Sequence, residues 1–270
     1  MNVPHPTRLR GRVVVVTGAA RGQGAARGQG AAEAEALRHE GAHVIATDVT
    51  EAPGCRLLDV TDGGQWADLA AELHDSYGKV HGLVNNAGIT WRARLGDVTP
   101  DDLARVHAVN VTGPLLGIQH LTPLMPPGAS IVNVGSTAAL TGHYPVAYTT
   151  SKWALRGLSR AAATELGPRG IRVNTIHPGF IETEMTASAA PVFREANIRE
   201  TPLGRTGTVD EITPLVVFLL SGESSFITGA EIPVDGGLTA HGGAKSIADA
   251  MSSPAAPDLR SAKTERAPSS

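Results

Sequence analysis

The sequence predicts an α/β fold in which one doubly wound parallel sheet carries helices on both faces. Short runs rich in Val and Ile alternate with Ala- and Leu-rich stretches of helical composition over most of the chain. Near-continuous apolar strands are typical of parallel sheets because both faces of such sheets are covered, and the alternation requires helical crossovers. We predict strands at residues 13–17, 43–47, 83–84 with their neighbours, 130–134, 172–176 and 231–234.

Length and composition fit one folded domain followed by a tail. The chain has 270 residues, of which 41% are hydrophobic and 18% are charged, and this length suits one or two domains. From residue 241 onward the chain is rich in Pro, Ser and Ala and has no clear period. We therefore predict a domain over residues 1–240 and a mobile C-terminal tail over residues 241–270.

Charge and hydropathy exclude two classes of partner. The 23 Lys and Arg against 26 Asp and Glu give a net charge of −3 without a basic block, so nucleic acid is not an expected partner. No window reaches the length of apolar sequence that a membrane span needs. The N-terminus has no apolar leader, and the single cysteine, Cys55, cannot form an internal disulfide. A cytoplasmic location is therefore expected.

A glycine-rich turn separates the first predicted strand from an Ala-rich helix. The stretch reads VVVVTGAARGQG from Val13, and a second, identical AARGQG follows at residues 25–30. Glycines let a backbone approach a pyrophosphate closely, and a helix N-terminus offers free N–H groups to phosphate oxygens. The turn therefore predicts a dinucleotide site, with a glycine loop that binds nothing as the alternative.

The tandem repeat leaves two registers for the start of this helix. A helix over residues 30–39 spans about 15 Å and matches the strand length better than a helix from Gly24, which spans about 24 Å. We therefore predict that Gly28 and Gly30 begin the helix and that the first copy is partly looped out. The other register uses Gly18, Gly22 and Gly24. A distorted loop that binds dinucleotide poorly is the third alternative.

An acidic residue ends the second predicted strand. Asp48 closes the segment HVIATD, where a carboxylate can accept hydrogen bonds from both hydroxyls of an adenosine ribose. The same charge repels a 2′-phosphate, so Asp48 favours NAD over NADP. A turn residue or helix cap is the alternative interpretation.

A tyrosine and a lysine lie four residues apart in a stretch of helical composition. Tyr148 and Lys152 would share one face of that helix. A cation about 4 Å from the phenol is worth roughly 4 kcal/mol at an effective dielectric of 20, which corresponds to about three pKa units. The spacing therefore predicts a tyrosine acidified for proton transfer near neutral pH.

Further motifs, in order along the chain, resemble the short-chain dehydrogenase/reductase family. Besides the TGAARGQG turn they are LLDVTD with Asp59, NNAG at residues 85–88, VNVTG with Asn110, VNVGS with Ser136, YTTSK with Tyr148 and Lys152, and PGFIET from Pro178. The match extends from about Leu9 to Gly237 and implies a Rossmann-type fold and an NAD-dependent oxidoreductase acting on CH–OH donors. The chain departs from the family by its six extra residues and by glycine at position 135, where the family usually has a serine.

The resemblance implies a catalytic set of Asn110, Ser136, Tyr148 and Lys152. Tyr148 would exchange a proton with the substrate oxygen, and Ser136 would hydrogen-bond the same oxygen. Lys152 would lower the pKa of the tyrosine and hold the nicotinamide ribose, while Asn110 would position a water in a proton relay. No metal is expected, because the ten histidines are scattered without ligand spacing.

The same resemblance, with the glycine turn and Asp48, assigns the cofactor NAD to a long series of residues. Residues 86–88 would line the adenosine ribose, Asp59 and Val60 the adenine, and Ile181 and Thr183 the carboxamide. The predicted cofactor-binding residues are Gly18, Gly24, Gly28, Gly30, Asp48, Asp59, Val60, Asn86, Ala87, Gly88, Tyr148, Lys152, Pro178, Gly179, Ile181 and Thr183.

The predicted substrate is a small-molecule alcohol or ketone. Around Tyr148 the sequence most resembles bacterial hydroxysteroid dehydrogenases, which implies a cyclic or steroid-like substrate. An apolar pocket is predicted from Leu140, Tyr144, Phe180, Met185, Val192 and Phe193, although these side chains could instead cover the core. Three residues after the NNAG motif could reach the mouth of the pocket or lie on the surface: Trp91, Arg92 and Arg94.

The sequence also gives an expectation about assembly and leaves two alternative functions open. The family implies a homotetramer, for which Trp153 and Leu155 would suit an interface as well as they suit core packing. A 3-oxoacyl reductase for carrier-bound chains is one alternative, and Asp48 opposes it because such reductases commonly use NADPH. A dinucleotide-binding sensor without catalysis is the other alternative, favoured by the altered glycine turn and opposed by the complete catalytic set.

Overall fold

A seven-stranded parallel sheet forms the centre of the molecule. The computed structural model describes residues 7–20 and 28–252. Within them the sheet has the order β3-β2-β1-β4-β5-β6-β7, and every neighbouring pair is parallel. The strands are β1 (Val13–Thr17), β2 (His43–Asp48), β3 (Cys55–Leu57), β4 (Gly82–Asn85), β5 (Ser130–Val134), β6 (Arg172–Pro178) and β7 (Glu231–Val234).

Helices cover both faces of the sheet, as the sequence predicted. Side chains alternate across β1, so that Val14 and Val16 pack with one helical layer while Val13 and Val15 pack with the other. The helices are α1 (Gln29–His39), α2 (Gly63–Tyr77), α3 (Pro100–His107), α4 (Gly113–Leu121), α5 (Val146–Leu166), α6 (Glu184–Ala187), α7 (Pro191–Glu200), α8 (Thr213–Leu220) and α9 (Ala244–Ser252).

The two layers contain separate apolar clusters. Helices α1 and α8 contribute residues such as Leu37 and Val216 to one cluster, and α2, α4 and α5 contribute Trp66, Leu121 and Leu166 to the other. Full burial of each such side chain is worth about 1.5–3 kcal/mol. The sheet is therefore clamped on both faces, and the loops at its edge rest on a rigid support.

The order of the strands reverses direction between β1 and β4. From β1 the chain moves outward to β2 and β3, and then it returns to β4 and continues to β7 on the other side. Crossovers that diverge in this way leave a crevice outside the carboxyl ends of the two strands. The predicted dinucleotide turn, the NNAG motif and Ser136 all follow strands that end at this edge.

Two elements differ from the sequence prediction. Strand β3 was not predicted, and it pairs with β2 through the register Ala46↔Cys55. Helix α9 lies in a segment whose sequence shows no clear period, although the division of the chain at residue 240 stays a prediction. Residues 253–270 lie outside the described ranges. No helix in the described ranges has the length and apolar character needed to cross a bilayer.

Candidate active site

A cleft of about 520 Å³ lies at the crevice between the diverging crossovers. Its walls come from the turns after β1, β2, β4, β5 and β6 and from α5. Of the predicted site residues, those that line this cleft are Gly18, Gly28, Asp48, Asp59, Val60, Asn86, Ala87, Gly88, Ser136, Tyr148, Lys152, Pro178, Gly179, Ile181 and Thr183. Sequence motifs far apart in the chain are therefore brought to one cavity.

The glycine turn and the NNAG motif are packed against each other. Gly18 has φ +70°, and a Cβ there would lie 2.8 Å from the Cα of Ala87. The side-chain amide of Asn86 donates to the carbonyls of Thr17 (2.9 Å) and Gly18 (3.1 Å). The Thr17 hydroxyl in turn accepts from the backbone N–H groups of Asn86 and Ala87. These contacts leave no room for a side chain at position 18.

Helix α1 begins in the second copy of the repeat, which confirms the predicted register. Gly28 is the N-cap residue, in extended backbone, and as a glycine it has no side chain to cap the first amides. Gly30 does not line the cleft; instead, a Cβ there would come within 2.4 Å of both the Gly18 carbonyl oxygen and the Asn86 amide nitrogen. The N-terminus of this eleven-residue helix therefore faces the cleft. Gly24 lies outside the described residues.

Asp48 ends β2 and lies in the wall of the cleft, as predicted. Its two carboxylate oxygens accept from the backbone N–H groups of Ala20 and Thr50, each at 3.0 Å. The carboxylate is 5% exposed, and each oxygen retains a second lone pair for a further donor. The neighbouring Val49 also lines the cleft and carries no charge.

Asp59 and Val60 line the same end of the cleft. Asp59 Oδ1 accepts from both the backbone N–H and the hydroxyl of Thr61. The Val60 carbonyl accepts from the indole N–H of the buried Trp66 (3.0 Å). A Cβ on Gly113 would meet the Val60 side chain at 2.9 Å, so α2 and α4 fix this wall from behind.

The PGFIET segment forms the opposite end of the cleft. Gly179 approaches β7 so closely that a Cβ would lie 2.8 Å from the Cα of Asp235. Ile181 is buried and forms a bridge with Gly207, and Thr183 is the N-cap residue of the short helix α6. The backbone of this segment is therefore held from two sides.

Tyr148 and Lys152 lie one turn apart on α5, as their spacing predicted, and both line the cleft. The Lys152 ammonium donates to the Val134 carbonyl at 2.7 Å. It lies 5.7 Å from the centre of the Tyr148 ring. Burial lowers the pKa of Lys152 to about 8, because a low-dielectric site disfavours the ammonium.

The predicted acidification of Tyr148 is wrong for this structure. Burial raises the pKa of Tyr148, and a hydrogen bond with the Ser136 side chain lowers it only partly. The sequence argument placed a cation about 4 Å from the phenol, whereas the Lys152 ammonium is bonded to the end of β5 and lies over the ring. Tyr148 is therefore a protonated phenol at neutral pH.

Ser136 follows β5 and begins a short 3₁₀ turn at Thr137–Ala139. Its hydroxyl accepts from the backbone N–H of Ala138 at 3.1 Å. Its peptide contacts the Nδ1 atom of His177, which lies 3.3 Å from the Ser136 nitrogen and 3.0 Å from its oxygen. Sequence analysis gave no role to His177.

Asn110 is buried beside the cleft and does not line it. It lies in a π-helical turn, Ala108–Thr112, between α3 and α4. Its side chain accepts from the backbone N–H of Ile89 (2.9 Å) and donates to the Ile89 carbonyl (3.0 Å) and the Ser151 hydroxyl (2.9 Å). The side chain thus ties the segment after NNAG to α5, and its part in a water relay stays a prediction.

A second cavity of about 350 Å³ adjoins the first. Ser136 and Tyr148 line both cavities. Its apolar wall is an aromatic cluster in which ring centres lie 5.1–5.9 Å apart. The cluster consists of His143, Tyr144, Phe180 and Phe193.

The prediction for this pocket holds for most of its residues. Tyr144, Phe180, Met185 and Phe193 line the cavity, whereas Leu140 and Val192 do not. Val192 is instead 68% exposed on α7.

Of the three residues expected near the mouth of this pocket, only Arg92 lines it. The Arg92 guanidinium donates to the Ser188 hydroxyl and the Met185 carbonyl. Arg94 lies 5.1 Å from the centre of the Tyr144 ring, and Trp91 is 41% exposed. Arg92 thus fastens the segment that follows the PGFIET motif across the mouth.

Several residues of the large cleft were not predicted to bind the cofactor, although Met185 was predicted for the substrate pocket. They are Gln29, Val49, Leu58, Thr61, Ile89, Arg105, Ala108, Val109, Val134, Gly135, Met185 and Thr186. Most of them are direct neighbours of predicted residues, so the boundaries of each motif were the only available signal. Within the described residues no group of three or more His, Cys, Asp or Glu side chains could hold a metal ion.

Comparison with known proteins agrees with this arrangement. A family model of the short-chain alcohol dehydrogenase type, described as "Enoyl-(Acyl carrier protein) reductase", matches residues 24–239. A trans-4-hydroxycyclohexanecarboxylate dehydrogenase from Sinomonas cyclohexanicum is 38% identical over 256 residues, which cover 86% of this chain and 95% of that protein. A 3-alpha-(or 20-beta)-hydroxysteroid dehydrogenase from Mycobacterium tuberculosis is 40% identical over 248 residues, which cover 86% of this chain and 91% of that protein.

A solved structure shares the same fold. The gluconate 5-dehydrogenase of Burkholderia cenocepacia, in complex with NADP and tartrate, superposes with a TM-score of 0.78 at 28% identity, covering 87% of this chain and 98% of that one. The Rossmann-type fold expected from the sequence is therefore confirmed. With these matches over most of its length, the chain belongs to the short-chain dehydrogenase/reductase family of oxidoreductases.

Proposed function

We propose that this protein is an NAD(H)-dependent oxidoreductase that interconverts a secondary alcohol and a ketone of cyclic or steroid-like shape. One observation carries the proposal: Ser136 and Tyr148, whose side-chain hydroxyls are hydrogen-bonded to each other, line both the large cleft and the aromatic cavity. A dinucleotide in the first cavity and a ketone in the second would meet at these hydroxyls. A proton donor is needed at that point and nowhere else in the site.

The residues of the large cleft fit a nicotinamide dinucleotide. The N-terminal amides of α1 suit a pyrophosphate, and Gly18, which has no side chain, lines the same cleft. Asp48 offers lone pairs to ribose hydroxyls and repels a 2′-phosphate. Among the described residues, Arg105 and Lys152 are the only cations that line the cleft, and Lys152 is bonded to Val134. This distribution supports NAD over NADP.

The chemistry divides between cofactor and protein. Bound NADH supplies the hydride. Tyr148 keeps its proton at neutral pH and donates it to the ketone oxygen, while Ser136 hydrogen-bonds that oxygen. In the direction of oxidation the same phenol must first be deprotonated. We therefore expect kcat/KM for alcohol oxidation to rise with pH above neutrality, and ketone reduction to proceed at neutral pH.

The aromatic cavity supports a cyclic substrate. The rings of its wall offer dispersion contacts to a rigid alicyclic skeleton. Two relatives are named for cyclohexane and steroid substrates, which agrees with this shape. The competing assignment, a reductase of carrier-bound 3-oxoacyl chains, draws support from a 3-oxoacyl-[acyl-carrier-protein] reductase of Thermotoga maritima that is 38% identical over 251 residues.

The decisive experiment screens cyclic ketones, steroids and a 3-oxoacyl thioester for NADH and NADPH oxidation. We expect NADH with a cyclic ketone to give the highest kcat/KM. Tyr148→Phe should lower turnover by about 10²- to 10⁴-fold with NADH binding unchanged, and Tyr144→Phe, in the wall of the substrate cavity, should retain turnover. Survival of turnover in Tyr148→Phe would refute the acid/base assignment. Preference for the thioester with NADPH would favour the carrier reductase, and NADH binding without any turnover would favour the sensor.

We also propose a cytoplasmic homotetramer. Trp153 on α5 is 47% exposed and Phe226 is fully exposed, so both have apolar surface to bury against another copy. Leu155 is 1% exposed and belongs to the core, which removes it from the predicted interface. Sedimentation velocity on the full chain measures the assembly directly.

A further inference from the structure

His177 is a buried residue directly behind the catalytic serine. It lies near the end of β6, and its imidazole is fully enclosed. Nδ1 contacts the Ser136 peptide at 3.0 and 3.3 Å, and Nε2 has no hydrogen-bond partner among the described residues. Burial lowers the pKa of His177, with Glu231 raising it and Arg156 and Lys152 lowering it in smaller measure. The ring is therefore neutral, and its polar contact is with the Ser136 peptide.

A side chain at position 135 would overlap with the His177 ring. A Cβ on Gly135 would lie 2.6 Å from Nδ1 and 2.8 Å from Cε1 of the His177 ring, and 3.0 Å from the Ile176 carbonyl oxygen. The backbone of Gly135 is not in the left-handed region, so the imidazole and not the backbone angle demands glycine here. This accounts for the glycine that replaces the serine usual at the first position of the motif.

The position of the Ser136 peptide decides where its hydroxyl points. That hydroxyl accepts from the Ala138 amide and contacts the Tyr148 phenol, whose pKa it lowers. The Ser136 carbonyl is also the acceptor for the Ala139 amide at 2.9 Å. A shift of the peptide would therefore move the hydroxyl relative to Tyr148 and loosen the turn that follows.

We propose that His177 is a positioning residue that holds the Ser136 peptide so that the serine hydroxyl faces Tyr148. This arrangement requires glycine at position 135, because a side chain there would overlap with the His177 ring. Every group in this arrangement lies in or next to a core element: Gly135 directly follows β5, His177 lies in β6, and Tyr148 lies in α5. The inference rests on the proposed function for its kinetic consequences. The overlap between a side chain at position 135 and the His177 ring does not depend on the proposed function.

The test is a double-mutant cycle with ketone reduction as its first measurement. His177→Ala and Gly135→Ser should each lower kcat by about 10- to 100-fold, because a misplacement of about 1 Å at the reacting groups has that cost. The double variant should recover most of the loss, since the serine then occupies the space that the imidazole leaves. The Kd for NADH should stay within about twofold of wild type in all three. His177→Asn, which keeps a polar group, serves if the alanine variant does not fold.

Two further readouts separate positioning from a merely structural role. In a Ser136→Ala background, His177→Ala should add less than about a twofold loss, and full additivity would overturn the proposal. His177→Ala should also raise the pKa of Tyr148 as Ser136→Ala does. Tyrosinate absorbance after a rapid pH jump, measured against the matching Tyr148→Phe chain, reports this pKa without any substrate. An unchanged pKa would overturn the proposal, whereas absence of turnover in the wild type would refute only the proposed function.

Discussion

The turn after β1 and the turn after β5 lie at the same edge of the sheet but are built in opposite ways. Nine residues separate Gly18 from Gly28, and six of them are accounted for by the tandem repeat. The two ends of this turn nevertheless meet, with Gly30 packed against the Gly18 carbonyl. After β5, only Gly135 and Ser136 stand between the strand and the 3₁₀ turn, and side chains from two other elements contact them or the turn.

This difference teaches what each half of the site requires. The cofactor half of the site, which contains the turn after β1, depends on close backbone contact between the two ends of that turn. The number of residues between these ends therefore matters less. The catalytic half depends on the placement of individual side chains: His177 contacts Ser136, and Arg156 donates to the Ala139 carbonyl at 2.6 Å. Perturbing the packed ends of the first turn should therefore affect the fold and dinucleotide binding, whereas perturbing the second should affect turnover.

The largest effect is expected from Gly30→Ala. Its methyl group would meet a carbonyl oxygen and an amide nitrogen at 2.4 Å, so the free energy of unfolding should fall by at least about 3 kcal/mol and NADH should bind more weakly. Gly157→Ala is the matched control, because it lies in α5 with nothing within 4 Å of the new methyl group. The control should gain about 0.5–1 kcal/mol. Urea unfolding and NADH titration measure both, and an unaffected Gly30→Ala would contradict the importance of the close approach.

A smaller effect is expected from Arg156→Met in the catalytic half. Arg156 makes two contacts of 2.7 Å with Glu231 in addition to its bond with Ala139, and its side chain is 19% exposed. Its loss should reduce the free energy of unfolding by about 1–3 kcal/mol and lower kcat, with the Kd for NADH unchanged.

The matched control for that variant is Arg160→Met. Arg160 contacts the same Glu231 at 3.0 Å from a side chain that is 64% exposed, so its removal should cost less than about 1 kcal/mol. Equal effects of the two substitutions on urea unfolding and on kcat would mean that the bond to Ala139 contributes nothing to the turn.

The sequence predicted those features of the fold that follow from periodicity and length. Six strands were predicted from apolar runs, and the start of α1 in the second copy of the repeat followed from matching the helix to the length of β1. Strand β3 was missed because three residues at the edge of the sheet carry no period. The helix α9 was missed because its segment lies in a stretch of mixed composition.

In the candidate site, the sequence predicted which residues meet but not how they are connected. The four-residue spacing placed Tyr148 and Lys152 on one face of α5 correctly. It could not show that the ammonium would reach the Val134 carbonyl, which belongs to a strand distant in sequence. For the same reason the bonds of Asn110 with Ile89 and Ser151 could not be predicted, and its part in a water relay stays a prediction. Connections of this kind depend on tertiary contacts that one sequence does not encode locally.

The smallest effect is expected from removing one copy of the repeat, and it bears most directly on the comparison. Deletion of residues 19–24 or of residues 25–30 gives the same chain, because the copies are identical. The segment between the two ends shortens from nine residues to three, and loop-closure entropy then favours the folded state by about 1 kcal/mol. We also expect tighter NADH binding, because fewer conformations of the turn must be ordered. A variant with the first copy scrambled at constant length should bind NADH as the wild type does. Weaker NADH binding after deletion, or in the scrambled chain, would mean that the repeated residues themselves contact the dinucleotide. The cofactor half would then depend on individual side chains, as the catalytic half does.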